Sequence, residues 1–380
     1  MEELNLEDIR NQLDEVDQQI VACMDTRMKL CKQVADYKIA NHKPVFDQER
    51  EAQKLNAVEN LAKDQFQKTC VRDLFAQIMT MSRRLQYGCI AQNEQGEQRL
   101  FGFQPVTEVQ KQQAKVVYQG VEGAYAQAAM WSYFGEEVNS FHVESWRDAM
   151  DAVKTKKADY GVFPIENSTA GSVSDVYDLL VEYDNYIIGE VVLKIQHALL
   201  GLEGSELEQI KTIYSHPQAL MQSAGFLEAN KQWKSISMKN TAGAAKRVLE
   251  DNDPTQAAIA SVYAAKVYGL KVLQEGVNDM DINATRFIVV ANRPVFEKKA
   301  KKISLCLELP HISGSLYNIL GCVTYNNLNM TKIESRPIKD RRFEYRFFLD
   351  VEGNLEDIDV QNALSAIKAE ASSFKLLGNY

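Results

Sequence analysis

Basic side chains interrupt the first helical segment of the sequence at positions where apolar residues are expected. The apolar residues of this segment are spaced alternately four and three apart, as in the buried seam of paired helices. These seam residues are Ile9, Leu13, Val16, Ile20, Cys23, Leu30, Val34 and Tyr37. Arg27 occupies the seam position after Cys23, and Lys38 lies only about 20° from it around a helix. Clustered guanidinium and ammonium groups bind carboxylates and stabilise charge separation without a nucleophile or a metal.

Further polar residues interrupt the apolar stripes of two more predicted helices, at about 47–63 and 70–90. They are Asp47, Arg50, Glu51, Ser82 and Gln86. Each alone is typical of a solvated helix end or a satisfied core group, and a polar seam residue such as Arg27 also sets the register of paired helices. Arg10 lies about 100° around the helix from Arg27, so it would reach only the equivalent pocket of a partner helix. Together these residues favour a site for a small dianion.

The order and spacing of these residues resemble the active site of the all-helical chorismate mutase domain. The matching residues are Arg10, Arg27, Lys38, Asp47, Arg50, Glu51, Ser82 and Gln86. The resemblance implies an all-α domain at residues 1–90 that rearranges chorismate to prephenate. It also implies that the first arginine comes from a partner chain. Lys38 and Glu51, protonated or hydrogen-bonded, would flank the ether oxygen.

Between residues 115 and 296, short β-branched runs alternate with helical stretches, which predicts an α/β fold with a largely parallel sheet or two such lobes. Small and hydroxyl residues stand at the strand-to-helix junctions, where free helix N–H groups hold carboxylates. Ser172, Ser215 and Thr241 are examples, although each would alternatively serve as a helix N-cap. The pattern therefore favours a second site for a small acid.

The strings at these junctions resemble prephenate dehydratase. They are GVEGAYAQAA (120–129), PIENSTAGSVSDVYDLL (164–180), SHPQAL (215–220), NTAGAAKRV (240–248) and NATRFIVV (283–290). The resemblance implies a two-lobed domain like a periplasmic binding protein, which removes water and CO₂ from prephenate to give phenylpyruvate. Thr285 would be the catalytic proton donor, or, because an unassisted hydroxyl is a poor acid, it would polarise the leaving oxygen through a hydrogen bond. The implied substrate-binding residues are Glu166, Asn167, Ser172, Ser215, Gln218, Thr241, Arg286 and Phe287. The sequence departs from many relatives at Ala126, where they carry Ser or Thr.

From residue 302 to 380 the predicted order is βαββαβ, which is ferredoxin-like. Two strings resemble an ACT domain of the phenylalanine-binding kind. Their residues are Gly314, Ser315, Leu316, Glu334, Ser335, Arg336 and Pro337. The resemblance implies edge-to-edge pairing of two such modules, with phenylalanine bound as an allosteric inhibitor at the seam.

Composition excludes several other classes of function. The net charge of −9 disfavours nucleic acid or an anionic membrane as the main partner, and no apolar run approaches membrane length. Histidine spacing predicts no metal site, and dinucleotide and P-loop motifs are missing, so no cofactor is expected. Six cysteines without a C-x-x-C pair, and no recognisable signal peptide, predict a reduced cytoplasmic protein. Glutamine-rich residues 91–114 read as a linker.

In this order, the three resemblances match the bifunctional chorismate mutase–prephenate dehydratase family of bacteria. We therefore expect a homodimeric or larger enzyme of phenylalanine biosynthesis under feedback control. Three alternatives stay open: a small-acid sensor carrying an ACT module, an enzyme with one inactive domain, and an enzyme that uses arogenate instead of prephenate.

Overall fold

The computed structural model describes residues 5–93, 100–280, 282–339 and 341–380. The chain divides into two compact units. The first contains residues 1–102 and 305–376, and the second contains residues 103–304 and 377–380. The predicted linker lies partly outside the described residues, and the predicted domain boundaries stay a prediction. None of the described helices is long and apolar enough to cross a membrane.

Three helices form the N-terminal part of the first unit: α1 (Leu6–Ala40), α2 (Gln48–Glu59) and α3 (Gln65–Asn93). Asn5 caps α1 by accepting a hydrogen bond from the backbone N–H of Glu7 at 3.0 Å, and Pro44 lies in the turn that follows. A helix of 35 residues is about 53 Å long. The seam residues of α1 are not covered by the rest of the chain: from Ile9 to Tyr37 its large apolar members are 38–57% exposed.

The second unit alternates strands and helices. Its strands are β1 (Gln104–Val106), β2 (Lys115–Gln119), β3 (Asn139–Val143), β4 (Tyr160–Asn167), β5 (Gly171–Ser172), β6 (Tyr186–Lys194), β7 (His197–Gly201), β8 (Thr212–Ser215), β9 (Lys234–Ser237), β10 (Gln256–Ser261), β11 (Lys271–Glu275), β12 (Ala284–Ala291) and β13 (Val295–Glu297). Its helices are α4 (Tyr125–Phe134), α5 (Trp146–Lys154), α6 (Ser174–Glu182), α7 (Pro217–Gln222), α8 (Ala224–Ala229), α9 (Thr241–Asp251) and α10 (Val262–Tyr268).

Two mixed sheets organise this unit. Within it, β6, β12, β4, β2 and β3 lie side by side, and the other sheet has the order β11-β7-β10-β8-β9. The prediction of a largely parallel sheet is wrong for the first sheet, because β12 inserts antiparallel between β4 and β6. In the second sheet, β7 is antiparallel to both of its neighbours. Alanine-rich helix α9 packs against the second sheet, since small side chains let helix and sheet approach closely.

The remaining elements are β14 (Lys302–Glu308), α11 (Ser315–Tyr325), β15 (Met330–Pro337), β16 (Tyr345–Glu352), α12 (Ile358–Glu370) and β17 (Ser373–Asn379). Their order is the predicted βαββαβ, with neighbouring strands in the order β15-β16-β14-β17. Strand β15 therefore has a neighbour on one side only among the described residues, and its exposure alternates along the strand. We call residues 305–376 the C-terminal module.

Candidate active sites

Helices α1 and α3 bring Arg27 and Ser82 together. The Arg27 guanidinium donates to the Ser82 hydroxyl, and its Nη1 lies 3.5 Å from the carbonyl oxygen of Ile78. Ser82 is buried and donates to the same carbonyl at 2.7 Å. The serine therefore anchors the arginine, and the guanidinium keeps further N–H donors for a carboxylate.

Lys38 lies near the two acidic residues at the start of α2. Its Nζ donates to the carbonyl oxygen of Val45 at 2.5 Å. Burial lowers the pKa of Lys38, while the carboxylates of Asp47 and Glu51 act in the opposite direction. Asp47 also caps α2 by accepting from the backbone N–H of Arg50 at 3.0 Å, so its position follows from the local helix start.

Three further predicted residues of the helical site, Gln86, Arg50 and Arg10, are not equally buried. Gln86 is buried one turn after Ser82, and its Oε1 has no hydrogen-bond partner among the described residues. A buried carbonyl oxygen without a partner is costly, so this atom is suited to a ligand. Arg50 and Arg10 are both exposed. Arg10 lies about 26 Å along α1 from Arg27, which is too far to share its pocket.

Arg83, which is not among the predicted site residues, is buried beside Ser82 on α3. Its Nη1 donates to the carboxylate of Glu51, and its Nη2 lies 3.0 Å from Oε1 of Glu370. The sequence does contain a signal for its burial. The apolar residues Met79 and Tyr87 lie one turn before and one turn after Arg83, and both are buried. This spacing of four residues places position 83 on the covered face of α3.

In the second unit, the structure brings Thr285 and Asn167 together on adjacent strands. Thr285 is 8% exposed, and its Oγ1 accepts a hydrogen bond from Nδ2 of Asn167 at 2.9 Å. The same amide also donates to Oδ1 of Asn283 at 2.8 Å. Because Asn167 donates to Thr285, the hydroxyl proton of Thr285 is left to point at another acceptor.

A row of polar groups continues from Asn167 towards the second sheet. The Thr169 hydroxyl donates to Oδ1 of Asn167 at 2.7 Å, and Nε2 of Gln222 donates to Thr169 at 2.9 Å. Oε1 of Gln222 then lies 3.0 Å from Nε2 of His197. Burial lowers the pKa of His197, partly offset by its bond to Gln222. Gln222 is not among the predicted site residues, although it lies two residues after the SHPQAL string and is the last residue of α7.

A cavity of about 570 Å³ adjoins this row. Thr169, Gln218, Gln222, Asn278 and Asn283 line it together with His216, Met221 and Met280. The predicted residue Gln218 therefore faces the same cavity as the row. Nδ2 of Asn283 is buried without a hydrogen-bond partner among the described residues, so the cavity edge holds an amide available to a ligand.

Arg286 and Glu166 meet on the opposite face of β12 from Thr285. Arg286 is in register with Glu166, as Thr285 is with Asn167, and successive strand residues face opposite sides. Arg286 Nη2 lies 3.1 Å from Glu166, and its Nη1 lies 3.5 Å from Glu190. Phe287 is buried in the core against the first sheet. Thr285 is thus the member of this motif on the side of Asn167.

The N-cap interpretation is wrong for the three hydroxyl residues. His216 caps α7 and Asn240 caps α9, while α6 begins after Val173 without a side-chain cap. Thr241 is instead the first residue of α9. Ser215 is fully buried and donates to the carbonyl oxygen of Ile259 at 2.5 Å, and Ser172 lies on β5 opposite Glu166.

In the C-terminal module, Gly314 precedes α11 with a φ of 85° and so adopts the left-handed conformation that favours glycine. The Ser315 hydroxyl donates to the carbonyl oxygen of Pro310 at 2.7 Å, which fixes this turn. Leu316 is half-buried. The other predicted residues, Glu334 to Pro337, form the end of strand β15, and Nζ of Lys332 lies 3.8 Å from Glu334.

Comparison with known proteins agrees with the resemblances to chorismate mutase and to prephenate dehydratase. The sequence profile of the family chorismate mutase type II matches residues 9–87, and that of prephenate dehydratase matches residues 116–295. A bifunctional chorismate mutase/prephenate dehydratase from Enterobacter agglomerans is 32% identical over 379 residues, covering 98% of this chain and 95% of that protein.

Two further relatives cover less of the chain. Arogenate dehydratase 1 from Petunia hybrida is 34% identical and covers 70% of this chain and 66% of that protein. The prephenate dehydratase of Arthrobacter aurescens, solved in complex with L-Phe, has a TM-score of 0.65 at 28% identity and covers 70% of this chain and 89% of that one. By nearly full-length similarity, this chain belongs to the bifunctional chorismate mutase/prephenate dehydratase family.

Proposed function

We propose that α1–α3 rearrange chorismate to prephenate and that the second unit converts prephenate to phenylpyruvate, so that one chain supplies two steps of phenylalanine biosynthesis. The family membership and the arrangement of Thr285 with Asn167 carry this conclusion. The test is to incubate the full-length protein with chorismate and to follow prephenate and phenylpyruvate. A sensor would give neither product, and a chain with one inactive domain would stop at prephenate or require it as the starting material.

For the rearrangement, the helical site supplies charge and hydrogen bonds in fixed positions. Arg27, anchored by Ser82, binds a substrate carboxylate, and the cation of Lys38 faces the ether oxygen on which negative charge develops. The unpaired Oε1 of Gln86 indicates that its side chain is held ready for substrate. One C–O bond breaks and one C–C bond forms within the substrate, so no proton has to move to or from the protein.

For the dehydration, the substrate supplies most of the driving force because its ring becomes aromatic. The bond to the carboxylate breaks, its electron pair enters the ring, and the ring hydroxyl leaves. Thr285 donates a hydrogen bond to this leaving oxygen, since Asn167 occupies its acceptor side. Gln218 and Asn283, at the adjoining cavity, are placed to bind the polar groups of substrate.

A second copy of the chain completes the helical site in this proposal. Two observations support it: Arg10 is too distant from Arg27 in one chain, and the apolar seam of α1 is exposed. A paired α1 buries that seam and brings Arg10 of one copy to the pocket of the other. Sedimentation analysis tests the pairing, and an active monomer would contradict it.

Feedback control by phenylalanine belongs to the same proposal. The C-terminal module has the βαββαβ order of an ACT domain, and the related dehydratase of Arthrobacter aurescens was solved with L-Phe. The one-sided strand β15 carries Ile333, which is 46% exposed, and supports edge-to-edge pairing. Phenylalanine would bind between Gly314–Leu316 of one copy and Glu334–Pro337 of the other. Ser335→Trp should fill that seam and abolish inhibition while leaving dehydratase turnover intact.

Prephenate and arogenate are distinguished as substrates by measuring kcat/KM for each of them. The similarity to a Petunia arogenate dehydratase supports arogenate as an alternative substrate. The chorismate mutase segment of the same chain favours prephenate, because prephenate is the product of its reaction. We propose prephenate as the substrate and a cytoplasmic location, in keeping with six cysteines that form no C-x-x-C pair. A higher kcat/KM for arogenate than for prephenate would overturn the first choice.

A further inference from the structure

A buried ion cluster joins the helical site to the C-terminal module inside the first unit. The guanidinium of Arg83 on α3 lies between the carboxylates of Glu51 on α2 and Glu370, the last residue of α12. The side chains of Arg83 and Glu370 are 8% and 7% exposed, and that of Glu51 is 22% exposed. Two acids from distant segments therefore share one arginine.

The rest of the environment holds this arginine in place. Its Nη2 donates to Oγ1 of Thr80 at 3.0 Å, and its Cζ lies 5.2 Å from the ring centre of Phe46. Burial by itself lowers the pKa of Arg83, but the nearby carboxylates of Glu370 and Glu51 outweigh it and raise that pKa. Burial raises the pKa of Glu370, and Arg83 partly counters this. Moving the guanidinium would leave a buried carboxylate without its partner, which is strongly unfavourable.

Helix α3 makes a second contact with the C-terminal module, through Gln77. Nε2 of Gln77 donates to the hydroxyl of Tyr317 at 2.7 Å, and the hydroxyl of Tyr325 donates to Gln77. Both tyrosines belong to α11. Gln77 and Arg83 are about 9 Å apart along α3, so this helix is fixed to both helices of the C-terminal module.

We propose that Arg83 is a positioning residue of the mutase site, which fixes the Glu51 carboxylate and is itself held by Glu370. This rests on the proposed function, because Glu51 is a mutase residue only if α1–α3 rearrange chorismate. The mutase site of this chain thus depends on Glu370, which lies 287 positions after Arg83 in the sequence. A displacement of α12 is passed through Arg83 to Glu51.

The experiment uses full-length protein with two pairs of variants. Glu370→Gln keeps the shape of the side chain and removes its charge, and Asp359→Asn at an exposed position of α12 is its control. Arg83→Gln removes the shared cation, and Arg84→Gln at the exposed neighbouring position is its control. Mutase and dehydratase rates are measured on the same samples, and far-ultraviolet circular dichroism of each sample reports whether the helices of the first unit are folded.

We expect Glu370→Gln to lower the mutase kcat about tenfold with little change in KM, because the contact orients a group and does not itself touch substrate. Dehydratase turnover and both controls should stay within about twofold of wild type. Added to Arg83→Gln, the change at Glu370 should have less than about a twofold further effect, since Glu370 acts through Arg83.

Two results would overturn the inference alone: an unchanged mutase kcat in Glu370→Gln, or an equal loss from that change whether or not Arg83 is present. If Glu370→Gln lowers thermal stability, the mutase kcat and KM measured at a temperature where circular dichroism shows intact helices decide between a positioning and a merely structural role. Failure of the wild-type protein to convert chorismate would refute the proposed function and this inference together.

Discussion

In the second unit, Thr285 receives its hydrogen bond from Asn167, and the row of partners extends through Thr169 and Gln222 within the same chain. In the first unit, Arg10 stands exposed and far from Arg27, and Gln86 is buried with an unpaired oxygen. The polar groups around Thr285 are thus organised within one chain, whereas under the proposed function the helical site is completed by a second copy and by substrate. A sheet places neighbouring residues by backbone pairing, but a long helix spreads its polar residues along its whole length.

The largest expected effect is the loss of one activity while the other is retained. Arg27→Ala removes a charge-assisted contact and should lower the mutase rate by about 10²-fold or more, and Thr285→Val should lower the dehydratase rate by a similar factor. Each variant should keep the other activity, measured with chorismate or with added prephenate. Loss of both activities in either folded variant would contradict the independence of the two sites.

A smaller effect tests the organisation of the strand site. Asn167→Leu removes the donor to Thr285 without changing the side-chain size much, and we expect dehydratase kcat to fall by about tenfold to 10²-fold. The cause is that Thr285 then loses its fixed orientation. The exposed residue Asn139 on strand β3 gives the control variant Asn139→Leu, and mutase activity should be unchanged in both. A normal dehydratase rate in Asn167→Leu would remove Asn167 from the site.

The incompleteness of the helical site can be tested by mixing two inactive proteins. Arg10→Ala and Arg27→Ala variants should each lack mutase activity, but a hybrid dimer contains one pocket with both arginines intact. After dissociation and random reassociation, mutase activity should recover to about a quarter of the wild-type value. Arg10→Ala mixed with wild type after an identical treatment is the control for recovery. No recovery in the presence of demonstrated exchange would place Arg10 outside the partner's pocket.

The smallest effect concerns the pH dependence of stability in the second unit. Burial lowers the pKa of His197, so the folded protein binds its proton less readily than the unfolded chain does. The unfolding free energy should therefore be fully retained above pH 6.5, the ordinary pKa of histidine, and fall as pH drops below it. The slope for one proton is at most about 1.4 kcal/mol per pH unit.

His197→Gln should flatten this decline without abolishing it, because burial also lowers the pKa of His216. Denaturant unfolding between pH 7 and pH 5 measures the effect, and the exposed histidine variant His142→Gln is the control. An equal slope in wild type and His197→Gln would show that His197 does not titrate during unfolding in this range.

The sequence predicted the elements better than the contacts between them. Heptad spacing identified α1 to within a few residues, and the strand motif identified the position of Thr285, because both are local patterns. The pairing of Arg83 with Glu370 joins segments far apart in the chain, so no local period reveals it. The alternative in which Ser215 and Thr241 cap α7 and α9 is wrong because the adjacent residues His216 and Asn240 take that role.

The division of the first unit into two separate segments has a consequence for synthesis on the ribosome. About 200 residues are made between its helical segment and the C-terminal module that covers Arg83. Glu370 is made 287 residues after Arg83, so at about 5–20 residues per second the helical segment waits roughly 14–57 s before Glu370 is made. During this interval the nascent α3 carries an arginine without its final partner, and the exposed seam of α1 is free to associate with another nascent chain. Chains translated from neighbouring ribosomes on one messenger RNA are therefore well placed to pair before either is complete.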